Sequence, residues 1–398
     1  MALDLTKTAG QLYEAMPSMR EQWGSHRRAL DRAATHFAGA DAHETEARRA
    51  AGKATWLAAR QDGALRGAYP PPPLPPDYVV VAVDGSHVDV DRHAAARCFL
   101  INIGYVSLRY GEVPHAELRS EPLLCADDAT LSLRDPRGVR EANIEGALLG
   151  MHRAVMEIEA LADEVERAPE GLPVLGLLDG TLVLWGLSGG LDFVREELVD
   201  RRLVAAMDRL GVESKRRTLA VASHISRPRS AEVVNAIRLS RDVCGHETVN
   251  CDANCGQLRR GDRNCDVVGG VTDAALFAQE LEPGERSALF HSASSIVTEH
   301  YGEHQVCFFY VNVGEEIARM EMPAWTSEEG IRLAHAALLA QTAKGQGYPL
   351  ALQEAHEQAV INGADRQDFA RLLYETVSSE RLPAPTSQKA RSKRTRFV

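Results

Sequence analysis

The first forty residues place apolar or small side chains at Leu5, Ala9, Leu12, Met16, Met19, Trp23, Leu30, Ala33 and Phe37, in steps of mostly three and four with one break at His26. Charged Glu14, Arg20, Arg27 and Asp31 fall between them. This spacing predicts an amphipathic helix whose stripe packs on the protein's own body or against a partner. The run YPPPPLPP (residues 69–76) predicts a stiff spacer, since proline removes amide donors and fixes φ. The stretch YVVVAVDGSHVDVD (78–91) follows, and its β-branched run predicts a strand covered on both faces that delivers Asp84 at its end. RCFLINIGYVSLRYG predicts an antiparallel return strand. From residue 138 to 167 the pattern turns helical, with Ile144, Leu148, Met151, Val155, Ile158 and Leu161 on one side. LPVLGLLDGTLVLW (172–185) reads as a second buried strand, and TLAVASHI and HQVCFFYVNV as two more. Strands mixed with helices imply an α/β core.

The chain's 398 residues exceed the usual size of one domain. A formal net charge of −11 argues against coating nucleic acid by bulk attraction, and suits a site that gathers carboxylates around cations. No apolar run approaches the roughly 20 residues that span a bilayer, and MALDLTKTAG lacks the features of a signal peptide, so a cytoplasmic protein is expected. Seven cysteines in that compartment are free thiols or metal ligands.

The apolar strand ending in Asp-Gly-Ser at Asp84 is echoed by LGLLDGTL at Asp179, an apolar strand ending in Asp-Gly-Thr. Asp-Gly is a common turn dipeptide. Two such strand ends in one sheet, however, would bring two carboxylates together, which repel unless one is protonated or a cation lies between them. Arg153 and Glu157 are one helical turn apart, either as an exposed pair or at the edge of the apolar stripe, with Glu159 as the rival carboxylate. Near the C-terminus GQGYPLALQEAHEQAVI carries Tyr348, Pro349 and His356; proline suits the first turn of a helix, and eight residues of helical phase let Tyr348 and His356 border one cleft.

In this order, D-G-S after a strand, R-x-x-x-E on a helix, D-G-T after a second strand, and Y-P followed by A-H resemble the NurA nuclease family, as do SHISRPRSAEVVNAIR and EIARMEMPAW. The resemblance covers roughly residues 78–365. It implies an RNase-H-like core with a mixed sheet, a manganese-dependent (alternatively magnesium-dependent) deoxyribonuclease, a homodimer, and a hexameric HerA-like ATPase as partner in resecting DNA ends. Carried over by motif, Asp84, Glu157, Asp179 and His356 correspond to metal-site residues and Tyr348 to a catalytic-site tyrosine, with Glu159 or Glu145 as substitutes for Glu157. Two metals about 4 Å apart can activate water, stabilise the leaving oxygen and neutralise phosphate charge. Mixed oxygen and nitrogen donors suit manganese.

Arg227 and Arg229 in SRPRS are candidate phosphate ligands. Cys244, Cys251, Cys255 and Cys265 lie in one polar, glycine-containing stretch and are enough for a structural zinc or an iron–sulfur cluster, with ordinary thiols as the alternative. Cys98, Cys125 and Cys307 fall on expected strands and read as core. SQKARSKRTRFV is a basic tail able to bind DNA or an acidic surface. The layout expected is a helical arm (1–68), the spacer (69–77), the nuclease domain with C-terminal helices (78–380) and the tail (381–398). A non-catalytic adaptor that couples DNA ends to an ATPase, and an RNase-H-like enzyme acting on RNA, are the competing readings.

Overall fold

The computed structural model describes residues 3–90 and 94–380. The basic tail therefore lies outside the described residues. The described residues form two compact units, each assembled from separate stretches: residues 3–70, 226–294 and 307–320 in one, and 71–90, 94–225, 295–306 and 321–380 in the other. No helix among the described residues is long and apolar enough to cross a membrane.

The second unit is built on five strands in the order His115–Cys125, Phe99–Tyr110, Tyr78–Val88, Val174–Asp179 and Leu219–Ile225. The first three form an antiparallel meander, and the other two run parallel to Tyr78–Val88. A parallel return needs a crossover, and the helix Ala147–Arg167 supplies the one before Val174–Asp179. This is the RNase-H-like α/β core that the sequence implied. Val79, Val81 and Val83 face the apolar cluster shared with Val155, Ile158 and Leu161 of that helix, while Val80 and Ala82 are buried on the opposite face. Burial on both sides explains the uninterrupted β-branched run.

Several boundaries differ from the sequence expectation. The Asp84 strand does not end at the aspartate; it continues to Val88, paired throughout with Phe99–Tyr110. The Asp179 strand does end at its aspartate, because Gly180 turns there with φ 89° and residues 185–187 form a short 3-10 helix. Helical structure begins at Ala147, since residues 132–134 and 141–143 pair as a small hairpin whose turn is fixed by the Asp135 carboxylate accepting from Val139 and Arg140.

In the first unit the helix Leu5–Gly39 is divided in its surroundings. Its C-terminal part, with Ala29, Leu30, Ala33 and Phe37, enters an apolar cluster where the Phe37 ring meets Phe277 edge-on at 5.7 Å. Leu5, Leu12, Tyr13 and Trp23 in its N-terminal part are exposed. Asp273, fully buried, caps the helix Glu232–Leu239 by accepting from the amides of Val233 and Val234, and also accepts from the Tyr310 hydroxyl at 2.7 Å. Arg319 pairs with Glu232 at 2.6 Å and lies 3.5 Å over the Phe308 ring, so this arginine is a buried structural cation. Cys98, Cys125 and Cys307 are buried free thiols, as the apolar strands around them suggested.

Candidate active site

All residues of the motif set lie in the second unit, and the strand register brings them together. Val83 of the Asp84 strand pairs with Leu178, so Asp84 and Asp179 are each the next residue along parallel neighbours; Asp179 in turn pairs with His224. Residues in register share one face of a sheet, so Asp84, Asp179 and His224 form a row across three strands.

The helix Leu350–Ala359 covers that face. It lies flush because Gly104, opposite Asp84, has no side chain: a Cβ there would stand 2.3 Å from the Ala355 carbonyl oxygen. The end of the helix is tied down by Ser86, whose hydroxyl donates to the Ala359 carbonyl at 2.5 Å, and by the Asn102 amide, which donates to the same oxygen at 2.9 Å. Terminal helix carbonyls without intrahelical partners are thereby satisfied. Its start is fixed by Gln341, which accepts from the Ala351 amide and donates to the Tyr110 hydroxyl. Held at both ends, the helix puts His356 Nδ1 2.8 Å from Asp84 Oδ2. A carboxylate acceptor requires Nδ1 to carry the proton, which leaves Nε2 as a lone-pair donor on a ring whose side chain is 60% exposed.

Glu157 arrives from the other face. Gly85 is the opening: a Cβ there would stand 2.5 Å from Glu157 Oε1 and 3.1 Å from Arg153 Cδ, so only glycine lets the helix Ala147–Arg167 bring both side chains against the strand. Arg153 donates through Nη1 to the Gly85 carbonyl at 2.7 Å and places Nε 3.0 Å from Glu157 Oε1. That second contact is close in distance but misaligned, and Glu157 Oε1 makes no hydrogen bond among the described residues. Glu157 is buried, not at the exposed edge expected from the helical wheel. Burial pushes its carboxyl up to about 8; Arg153 opposes the shift, while Asp84 and Asp179 add to it.

The rival carboxylates are placed elsewhere. Glu159 makes a bidentate pair with Arg202 at 2.8 and 2.6 Å, and Glu145 is exposed ahead of the helix. Tyr348 lies outside the helix whose N-cap is Pro349, so helical phase does not relate it to His356. The Gly-Gln-Gly before it turns with positive φ at Gln346 (55°) and Gly347 (113°). Tyr348 instead meets the His224 ring edge-on at 5.2 Å. Arg227 and Arg229 belong to the other compact unit, where both are exposed and Arg227 lies 3.5 Å from Glu316.

His224 is the residue that motif reading missed. It is 1% exposed, its Nδ1 has no hydrogen-bond partner among the described residues, and burial lowers its pKa to about 4, so it is a neutral imidazole beside Asp179. The available signal was His224 near the end of the otherwise small and apolar strand run TLAVASHI. The Asp-Gly-Thr turn is also locked: Glu321 accepts from the Thr181 hydroxyl at 2.7 Å and from the Leu182 amide at 2.9 Å.

Among the described residues no three His, Cys, Asp or Glu side chains are grouped closely enough to hold an ion as they stand. Asp84 is turned to His356, and Glu157 to Arg153. The donor set nevertheless fits a hard divalent cation: carboxylate oxygens, one imidazole nitrogen and an orphaned buried carboxylate oxygen.

An RNase-H-like sheet carrying this row of strand carboxylates, met from the opposite face by a helix carboxylate, defines the class of protein. The model of the NurA domain matches residues 78–361, and the chain belongs to the NurA family, a family of nucleases. No curated protein matches the chain. Among solved structures, the NurA nuclease from Sulfolobus solfataricus is similar at 13% identity with a TM-score of 0.47, over 96% of this chain and 98% of that one. An Aquifex aeolicus Argonaute is similar at 11% identity and a TM-score of 0.25, over 71% and 28%. LC9-RNase H1, a type 1 RNase H, is similar at 10% identity and a TM-score of 0.22, over 44% and 76%.

The Glu157 environment has a measurable consequence. Its carboxyl rises from 4.5 in the ordinary state to about 8 in the folded protein, so the folded state holds the extra proton between those values. Stability in chelator is therefore fully present below the ordinary carboxylate range and is lost as pH rises through about 8. Glu157→Gln removes that loss. In EDTA the variant and parent should melt together at acidic pH, and the variant should melt higher at alkaline pH. Parallel melting curves across the range would contradict the assignment.

Proposed function

We propose that this protein is a metal-dependent deoxyribonuclease that hydrolyses phosphodiester bonds with manganese, or alternatively magnesium, at Asp84, Glu157, Asp179 and His356. The observation that carries the reading is the Glu157 carboxylate, without a hydrogen bond at Oε1 among the described residues and pushed up first by its burial, with Asp84 and Asp179 adding to the shift. A protein that brings three carboxylates into one electrostatic neighbourhood needs either a proton or a cation there, and a cation would also serve phosphodiester hydrolysis.

In this reading the carboxylate oxygens of Asp84, Glu157 and Asp179 and Nε2 of His356 would hold the ion. Bound there, it would supply Lewis-acid charge neutralisation at the phosphate and lower the pKa of water. The chain's own residues do the rest. Asp84 fixes the His356 tautomer through the Nδ1 proton, as carboxylate partners do for metal-binding histidines. Arg153 offsets part of the carboxylate charge while the ion is away, and its bond to the Gly85 carbonyl holds it in place. Tyr348 reaches the same face as Asp179 through its contact with His224, where its hydroxyl suits a role in orienting the phosphate or the attacking water. Hydrolysis then consumes one water: its oxygen bonds to phosphorus, the bond to the leaving sugar oxygen breaks, and that oxygen gains a proton.

Asp84→Asn, Asp179→Asn and His356→Ala should each reduce cleavage of end-labelled DNA in manganese by at least about 100-fold while leaving the fold intact by circular dichroism. Linear duplex, single-stranded DNA and RNA, each with manganese, magnesium or chelator, separate the readings. Parent protein that binds ends without cutting under any metal is an adaptor, and preference for RNA assigns the other substrate. Cleavage by Asp84→Asn at the parent rate would remove that residue from the site.

We further propose, on the family resemblance, that the protein works as a homodimer with a HerA-like hexameric ATPase in DNA end resection. The exposed apolar half of the N-terminal helix, at Leu5, Leu12, Tyr13 and Trp23, supports a docking role for this arm. The net charge of −11 makes a motor that delivers DNA useful, since bulk attraction would not hold the substrate. Deleting residues 2–24, which spares Ala29 to Phe37, should abolish ATPase binding in co-purification and sedimentation while leaving basal cleavage unchanged. Binding at parent affinity after this deletion would free the arm of that role.

A further inference from the structure

The first unit holds a second cluster of chemistry-bearing side chains that plays no part in the proposed reaction. Cys244 ends the short helix Arg241–Cys244, where Gly245 turns the chain at φ 73°. Cys251 and Cys255 are the first and last residues of the helix Cys251–Cys255, one turn apart and so on the same face. Cys265 is buried in the 3-10 turn Asn264–Val268. All four line one small cavity, with Trp56, Arg238 and His246 also in its wall.

This is a built site and not a loose loop. Arg48 reaches across to donate to the carbonyls of Leu239, Glu247 and His246 at 2.7 to 2.9 Å. The Lys53 amide donates to Val249, and Cys251 donates back to Lys53. Arg238 lies 3.8 Å over the Trp56 ring, pairs with Asp266 at 3.0 Å and reaches Cys265 Sγ at 3.6 Å. Its side chain is 7% exposed, and its Nε, beside the cavity, has no hydrogen-bond partner among the described residues. His246 Nε2 is 3.6 Å from Cys255 Sγ.

Three occupancies compete. Ordinary core thiols sit among apolar side chains, as Cys98, Cys125 and Cys307 do; these four instead share a cavity with a buried guanidinium. A structural zinc needs its sulfurs drawn about one point at roughly 2.3 Å each. A polynuclear iron–sulfur core is held by four thiolates at its corners, so the sulfurs ring a cavity and do not meet at a point. Unpartnered N–H donors from an arginine suit the negative charge of such a core and its sulfurs.

We propose that Cys244, Cys251, Cys255 and Cys265 hold an iron–sulfur cluster. Loading moves a preformed cluster from a thiolate carrier: each of the four thiols releases its proton to solvent as its sulfur bonds iron, each carrier thiolate leaves that iron and takes up a proton, and no electron changes hands. The cluster staples residues 244–265 to the helix Glu232–Leu239 through Arg238 and to residues 48–53 through the bonds above. Because this concerns neither the carboxylates nor cleavage, it stands or falls apart from the nuclease reading.

The test is metal and sulfide analysis of full-length protein purified without oxygen, with its visible absorption spectrum before and after dithionite. The expected result is iron and acid-labile sulfide in equal amounts, about two or four of each per chain, with a visible band that bleaches on reduction. Cys251→Ala and Cys255→Ala should each lose most of the iron and the band while Cys307→Ala keeps both. Should the alanine variants misfold, the parent's own iron, sulfide and zinc content still decides. About one zinc per chain without iron would overturn the proposal. So would unchanged iron in both variants, or neither metal in the parent after reconstitution with ferrous iron and sulfide.

Discussion

Two missing side chains set the geometry of the site. Gly104 lets the helix Leu350–Ala359 settle onto one face of the sheet, and Gly85 lets the tips of Arg153 and Glu157 press against the other. Because the two glycines lie on adjacent strands at the level of Asp84, groups from opposite faces of one sheet converge on a single carboxylate. A methyl group at either position would meet backbone or a carboxylate oxygen at 2.3 to 2.5 Å, well inside contact distance. Ser86, Asn102 and Gln341 then hold the covering helix at its ends, so that His356 stands over Asp84 without depending on its own exposed side chain for support.

That convergence has an electrostatic cost. Burial of Glu157 raises its carboxyl most; Arg153 opposes that shift, and Asp84 and Asp179 add to it. A proton on Glu157 relieves the arrangement. In the proposed nuclease a bound cation would take that proton's place. Neutral His224 beside Asp179 adds no charge of its own, so it leaves this balance to the carboxylates.

The buried strands were legible in the sequence because β-branched runs covered on both faces leave a continuous apolar pattern. The two Asp-Gly motifs were legible as a pair, but their glycines serve different ends: Gly85 makes room for another element, whereas Gly180 supplies a left-handed turn. Spacing alone cannot separate those uses. Nor can it choose among Glu145, Glu157 and Glu159, a choice that depends on Arg202 lying across from Glu159 and on the gap at Gly85. Helical phase misplaced Tyr348 because Pro349 acts as a cap and not as part of the first turn. The N-terminal stripe was read correctly as helical, but only tertiary packing reveals that its second half is core and its first half bare.

In the proposed nuclease a divalent cation would replace the proton on Glu157. Calorimetric titration of manganese into the protein at neutral pH, repeated in buffers of different ionisation enthalpy, counts the protons released per ion bound. The account predicts release of close to one proton by the parent and weak binding with no release by Glu157→Gln. Binding that releases no proton from the parent, or equal affinity in the variant, would contradict it.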